Sequence, residues 1–375
     1  MEAMRITLII STLGAGGAER VMSIMANYWA EHGHNLTLVT LGPPDTDFYA
    51  LDPRVQRVGL DLMGYSSNFL AAVRNNVLRV RRLRQAIRAS QPDVVLSFVD
   101  RTNVLVSMST LGLGRPVIVS EHIDPRQHAV GFIWAGLRRL LYPRAAAVVV
   151  LTQGVRPWAE HFVKKETVHV IPNPVQVPAM SLESNGAQEP RGSGRTVAAM
   201  GRLNPQKGFD LLLQAFARCA EKHADWSLMI LGEGDERPRL EAMASDLGIK
   251  DRVTMPGLVK DPLRILRGTD LFVLSSRYEG FPMALVEAMA CKLPVISTDC
   301  PSGPRDIVRD GVNAILVPPN DVNALAGAMD RLMANQAERQ RLGANAVQVI
   351  ERFSVEKVMN IWDNLLSRTC RVPNT

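Results

Sequence analysis

Cysteine is scarce. Four residues in 375, Cys219, Cys291, Cys300 and Cys370, show no C-x-x-C spacing, which argues against both a zinc site and a disulfide framework. Long apolar runs are missing too. The longest, around Leu8–Ile10 and Ala145–Leu151, fall far short of the ~20 residues a spanning helix needs. The N-terminal MEAMRITLII lacks a basic n-region and a small-residue cleavage site, so it reads as a buried strand and not as a signal peptide. Aromatic residues make up only 5%, and no nucleic-acid motif appears, so no nucleic-acid partner is expected. With 21% charged and 46% hydrophobic residues, disorder is excluded for most of the chain. A cytoplasmic globular protein is expected, with two domains at roughly 100–200 residues each.

Acid is absent from one long stretch. Phe69 to Arg88 holds six arginines and neither Asp nor Glu. Leu70, Val73, Val77, Val80, Leu83 and Ile87 recur there at helical spacing, which predicts an amphipathic helix. Residues 1–180 carry 19 basic and 13 acidic residues, whereas residues 181–375 carry 24 of each. The whole excess of +6 therefore lies in the first half. Such a face suits an anionic membrane or a phosphorylated lipid headgroup. The plain alternative is a helix packed on a sheet with its arginines solvated.

The remaining pattern alternates short β-branched runs with helical stretches, twice over. Strands are expected at Ile6–Ser11, Leu36–Leu41, Val55–Leu60, Val94–Phe98, Val117–Ser120 and Ala146–Leu151, then again from Thr196–Met200 to Ala314–Val317. A Pro-, Gly- and Ser-rich stretch separates the two sets. The expected organisation is a domain over 1–175, a linker over 176–195, a second domain over 196–353 and a C-terminal helix and tail over 354–375. The fold class is α/β: two Rossmann-like doubly wound domains facing a cleft, with ligands beyond the carboxyl ends of the strands.

Several strand-to-helix junctions carry chemistry. Glu279–Gly–Phe–Pro–Met–Ala–Leu–Val–Glu287 follows the strand LFVLSS and opens a helix, with Pro282 in its first turn. Free N–H groups there form an anion site, and the two carboxylates can each accept from sugar hydroxyls. Together they suit a nucleotide sugar. Gly201–Arg–Leu–Asn–Pro–Gln–Lys207–Gly208 supplies two cations for phosphate, Arg202 in a bidentate fork and Lys207 as a point charge. Leu13–Gly–Ala–Gly–Gly–Ala–Glu19 departs from a dinucleotide fingerprint, which needs glycine where Glu19 stands. His122 ends a strand, where it can orient substrate. Asp100 and Asn103 sit at an equivalent edge.

The ordered set GAGGAER, GRLNPQKG and EGFPMALVE resembles glycosyltransferase family 4, retaining enzymes of the GT-B fold whose E-x7-E motif falls on Glu279 and Glu287. STLGAGGAER, SFVDRTN, SEHID and the arginine-rich helix resemble bacterial N-acetylgalactosaminyltransferases acting on undecaprenyl-diphosphate-linked glycans. The resemblance implies a retaining transfer of GalNAc or another HexNAc from a UDP-sugar to a lipid-linked oligosaccharide, in surface-polysaccharide or protein-glycan biosynthesis. It implies that Arg202 and Lys207 bind the donor diphosphate, that Glu287 binds the ribose, and that Glu279 and the amides near Phe281–Met283, the turn that contains Pro282, hold the donor sugar. His122 would contact donor sugar or acceptor, and Gly16 and Gly17 would line the phosphates. Arg79, Arg81, Arg82, Arg84 and Arg88 would face the lipid diphosphate at the inner face of the cytoplasmic membrane. The C-terminal helix would cross back to the first domain. No metal or other cofactor is expected, on the reading that no Asp-x-Asp pair is present and that the two cations do that work. Alternatives are a GDP-mannose or UDP-hexose enzyme of the same family, a nucleotide-dependent oxidoreductase, and a non-catalytic sugar-nucleotide-binding protein.

Overall fold

The computed structural model describes residues 3–64, 68–176 and 195–371; most of the expected linker, 177–194, lies outside the described residues. Buried runs such as Ile6–Ile10 and Val94–Phe98 are apolar on both faces, as strands covered by helices on each side must be. They form one sheet of seven parallel strands: β1 (Arg5–Ile10), β2 (Asn35–Thr40), β3 (Gln56–Gly59), β4 (Val94–Phe98), β5 (Val117–Glu121), β6 (Ala147–Val150) and β7 (Val168–Val170). Their spatial order is β3-β2-β1-β4-β5-β6-β7. Ile6 lies opposite both Leu36 and Val94, which sets the register at the centre. The second sheet holds β8 (Arg195–Met200), β9 (Trp226–Leu231), β10 (Val253–Gly257), β11 (Leu271–Leu274), β12 (Val295–Thr298) and β13 (Ile315–Val317), in the order β10-β9-β8-β11-β12-β13.

Each sheet reverses its direction of growth beside its first strand, between β1 and β4 and between β8 and β11. A ligand crevice belongs beyond the carboxyl ends of the strands at that switch point. The loops that leave those four strands carry Gly14–Gly17, Val99–Asn103, Arg202–Lys207 and Ser275–Glu279. The chemistry-bearing motifs thus stand where the topology places a ligand.

The chain divides into two units, Met1–Pro174 with Val355–Thr375, and Val175–Ser354. Helix Val355–Arg371 therefore belongs to the first unit. Its Trp362 is buried, its Asp363 accepts from Trp29 Nε1 at 2.7 Å, and the Trp362 ring faces Phe98 of β4 at 6.5 Å. In the first unit Leu83 and Ile87 pack with Val39, Val95, Val119 and Tyr142. In the second, Leu212, Phe216, Trp226, Leu228 and Met329 form the core.

Helix Phe69–Ser90 matches the sequence expectation in extent but not in burial. Of its apolar stripe only Leu83 and Ile87 are buried, whereas Leu70, Val73 and Val77 are exposed. The helix is docked by its C-terminal half. Strand β7 and helix Gln336–Ala346 were not expected. The first is three residues long, and the second is polar on most of its surface. Asn335 starts that helix by accepting from the Glu338 N–H at 3.0 Å.

Candidate functional site

In the second unit the loops after β8 and β11 touch backbone to backbone. Gly208 has φ of +63°, and a Cβ there would lie 2.2 Å from the Ser275 carbonyl oxygen. Only glycine meets both demands. Ser275 Oγ donates to the Lys207 carbonyl at 2.9 Å, Gln206 Nε2 to the Tyr278 carbonyl at 3.0 Å, and the Arg277 N–H to the Gln206 carbonyl at 2.8 Å. Arg277 also forks onto Asp210 at 2.8 and 2.9 Å.

These stitches bring Lys207 to Glu279. Its Nζ donates to Glu279 Oε1 at 2.6 Å, and Ser276 Oγ donates to the same oxygen at 2.6 Å. Among the described residues nothing donates to Oε2 of this carboxylate, which is 5% exposed as a residue. Ser302 Oγ, from the loop after β12, holds the Glu279 carbonyl at 2.7 Å. Gly303, with φ of +90°, lets that loop close on Gly280, whose carbonyl would lie 2.9 Å from a Cβ. Arg202 is exposed, and no partner ties its guanidinium among the described residues.

Helix Met283–Ala290 starts one residue later than expected. Pro282 takes the N-cap position, with no side-chain cap. Phe281 and Met283 are buried, Phe281 edge-on to Phe353 at 5.2 Å, so only their backbone is available to a ligand. Glu287, eight residues after Glu279, is 2% exposed on the same short helix.

The first unit carries the second half of the residue set. Gly16 is the N-cap of helix Gly17–Glu31 beyond β1, and Tyr49 Oη donates to its carbonyl at 3.2 Å. His122 follows β5 directly. Its ring lies on Phe98 at 3.9 Å between centroids, and its Nε2 is 3.2 Å from Ser120 Oγ. Nδ1 is closed off from solvent with no hydrogen-bond partner, although the residue as a whole is only half-buried. Burial pushes His122 down to about 3, so it is neutral at physiological pH.

Beside it lies a polar cluster that sequence reasoning did not assemble. Glu121, at the end of β5, accepts a short hydrogen bond from Tyr142 Oη and faces Arg138 Nε at 3.4 Å. Asp100 faces Arg138 Nη2 at 3.8 Å and His128 Nε2 at 3.6 Å. Asn103 takes a 2.7 Å bond from Ser97 and gives a 2.9 Å bond to the Ser120 carbonyl, pinning β4 to β5. Burial raises Glu121 to about 6 despite Arg138 and Tyr142. Just before Asp100, Val99 holds φ of +73°, a region that β-branched residues rarely enter and that costs about 1–3 kcal/mol. The sequence signal for this cluster was the pair of polar residues at adjacent strand ends.

The five arginines expected at the lipid diphosphate divide into two sets. Arg79 donates to the Leu62 carbonyl at 3.0 Å, the Gly64 carbonyl at 2.9 Å and Asn76 at 2.9 Å. Arg84 caps helix Asp100–Thr110, donating to the carbonyls of Ser109 at 2.9 Å and Leu111 at 2.7 Å. Arg81, Arg82 and Arg88 are exposed. Arg84→Ala is expected to cost about 1–2 kcal/mol in urea unfolding, the loss of two charge-assisted bonds. Arg81→Ala or Arg82→Ala is expected to move stability by less than about 0.5 kcal/mol.

The sequence does hold one Asp-x-Asp pair, Asp45–Thr46–Asp47. Asp47 is committed to Arg57, which donates to it at 2.7 and 2.8 Å. Asp47 therefore anchors the loop before β3 to that strand.

Comparison with known proteins covers both units. A model described as Glycosyltransferase Family 4 matches residues 15–177, and one described as Glycosyl transferases group 1 matches residues 183–349. The lipopolysaccharide core biosynthesis glycosyltransferase LpsE of Rhizobium meliloti is 30% identical over 94% of this chain and 96% of its own. The GalNAc-alpha-(1->4)-GalNAc-alpha-(1->3)-diNAcBac-PP-undecaprenol alpha-1,4-N-acetyl-D-galactosaminyltransferase of Campylobacter jejuni is 28% identical over 97% and 98%. Among solved structures, Anabaena Alr3699/HepE in complex with UDP and glucose superposes with a TM-score of 0.78 at 19% identity, over 97% of this chain and all of the other. Sucrose-phosphate synthase from Thermosynechococcus elongatus gives 0.81 at 20%, over 97% and 98%. At those identities the structures establish the fold, a GT-B pair of α/β units.

Proposed function

Because the chain belongs to glycosyltransferase family 4, we propose that it transfers an N-acetylhexosamine, in the first place GalNAc, from its UDP-sugar to a glycan carried on undecaprenyl diphosphate. The observation that carries the donor half is the Lys207–Glu279 pair, held at the switch point of the second sheet beside Arg202 and ahead of Glu287. A nucleotide sugar needs that order of groups: cations for the diphosphate and carboxylates for hydroxyls at either end. The names of the Campylobacter relative and of the HepE complex support a GalNAc transfer onto a lipid-linked glycan and a UDP donor.

In this reading Arg202 and Lys207 stabilise the charge that gathers on the departing UDP, which stands in for a metal ion. Glu279 orients the sugar and Glu287 the ribose. The bond from the anomeric carbon to the phosphate oxygen breaks, and the acceptor oxygen bonds to that carbon on the same face. Attack on that face retains the configuration, and the acceptor proton passes to the leaving phosphate. The enzyme works peripherally on the inner face of the cytoplasmic membrane. No described helix is long and apolar enough to cross it.

Thermal unfolding with UDP, GDP, ADP and NAD tests the donor. UDP at about 100 times its Kd is expected to add about 2.7 kcal/mol of stability, and Glu287→Ala is expected to remove that gain. A response to GDP in place of UDP would redirect the donor to GDP-mannose. A response to NAD alone would overturn the reading.

A further inference from the structure

We infer that Asp100 recognises the sugar to be extended, its carboxylate receiving two neighbouring ring hydroxyls of the acceptor. The role rests on the glycan acceptor proposed above and names what selects it. Asp100 opens helix Asp100–Thr110, two residues past the end of β4. In the sheet β4 lies between β1 and β5. Asp100 therefore stands between the loop of Gly16, which follows β1, and His122, which follows β5.

One oxygen of this carboxylate is spent and the other is not. Oδ1 accepts from the Arg101 N–H at 2.5 Å. Oδ2 lies 3.6 Å from His128 Nε2 and 3.8 Å from Arg138 Nη2, which is ion-pair range and too long for a hydrogen bond. Arg138 is held back, its guanidinium over the Trp158 ring at 5.3 Å and over Tyr142 at 6.0 Å. Asp100 is nine-tenths buried yet not sealed, the residue being 9% exposed and its side chain 11%. A hydrogen-bond deficit surrounds it. Among the described residues, the buried side-chain polar atoms of the first unit that lack a hydrogen bond are His122 Nδ1, Arg138 Nε and Thr152 Oγ1. His122 and Thr152 follow β5 and β6, and Arg138 faces both Glu121 and Asp100. Buried polar groups are ordinarily paired within the fold. Their shortage at this edge points to a surface arranged for a polar ligand.

Charge selects the class of ligand. A phosphate would meet the carboxylates of Asp100 and Glu121, and a cation would meet Arg138. Neutral hydroxyls meet neither repulsion, and a carboxylate accepts from two of them at once. In the reading above the donor's hydroxyls belong to Glu279 and Glu287, which leaves the acceptor's for Asp100.

Ligand-observed NMR titration of the full chain with the methyl glycosides of GalNAc, GlcNAc, galactose, glucose and mannose, with and without UDP, tests this. At least one is expected to bind wild type. Asp100→Asn is expected to weaken it at least about tenfold, as loss of hydrogen bonds to a charged acceptor does. The substitution keeps an oxygen for the Arg101 N–H, and an unchanged melting curve establishes that the variant is folded. Deoxy analogues of the bound glycoside separate recognition from a structural role. Removing either of two neighbouring hydroxyls is expected to weaken binding to wild type and to cost the variant nothing more, the signature of a direct contact. The response to UDP is expected to be equal in the two proteins. Its absence from both would sink the donor reading and leave Asp100 to be judged on the glycosides alone. No glycoside binding by wild type overturns the assignment. So does equal binding by Asp100→Asn, or an equal loss in both proteins for every deoxy analogue.

Discussion

Lys207→Ala is expected to lower kcat/KM for sugar transfer about 10²–10³-fold or more, as removal of one preorganised donor to a developing anion does. The same substitution is expected to destabilise the fold. Lys207 and Glu279 have side chains only 18% and 6% exposed, and removing the cation leaves the carboxylate with Ser276 alone. Breaking a buried pair from one side costs about 3–5 kcal/mol, mostly the penalty of the charge left behind. A low rate in Lys207→Ala alone could therefore reflect unfolding. The double variant Lys207→Ala with Glu279→Gln separates the causes. It has no stranded charge, so its melting temperature is expected to recover most of the loss. Its transfer rate is expected to stay low, since neither the phosphate cation nor the sugar-binding carboxylate returns. Recovery of both together would assign Lys207 a structural role only.

That pair illustrates what a sequence displays. Gly201–Gly208 and Glu279–Glu287 announce themselves because glycine, proline and charge cluster at strand ends, and the strand ends are readable from β-branched runs. The partner of each charge is another matter. Lys207 and Glu279 are 72 residues apart, and only sheet order brings β8 beside β11. Arg79 and Arg84 looked like their exposed neighbours. Their guanidinium groups reach carbonyls at Leu62, Gly64, Ser109 and Leu111, which no helical period reveals. Periodicity likewise names the apolar face of helix Phe69–Ser90 without saying how far the sheet extends beneath it. The carboxyl half finds Val95 and Tyr142, and the amino half finds none of the core. Glu121, Arg138 and Tyr142 are polar residues at ordinary spacings. Their coupling exists only because helix Phe132–Leu141 returns over the end of β5.

That coupling makes acid stability the sharpest test of the first-unit site. His122 is held at about 3, below its ordinary value of about 6.5. A histidine depressed in the fold contributes stability present above the unfolded value, and that stability fades as pH falls below it. At pH 5 the expected loss is about 2 kcal/mol, from 1.36 kcal/mol per unit. Glu121 acts in the opposite sense. Raised from 4.5 to about 6, it contributes stability that is complete below its unfolded value and lost as pH rises through 6. Between pH 7 and pH 5 it returns about 1 kcal/mol. Burial also depresses His34 and His169, so both steepen the acid limb for every variant alike. Urea unfolding of wild type is thus expected to show a shallow fall from pH 7 to pH 5. His122→Gln cannot take up the proton and is expected to flatten that limb by about 2 kcal/mol at pH 5. Glu121→Gln removes the compensation and is expected to steepen it by about 1 kcal/mol. The two shifts have opposite signs from neighbouring residues, which a general loss of packing cannot produce. A His122→Gln curve parallel to wild type would mean that the imidazole is wetter than its closed-off Nδ1 implies, and would leave His122 free to bind substrate in its charged form.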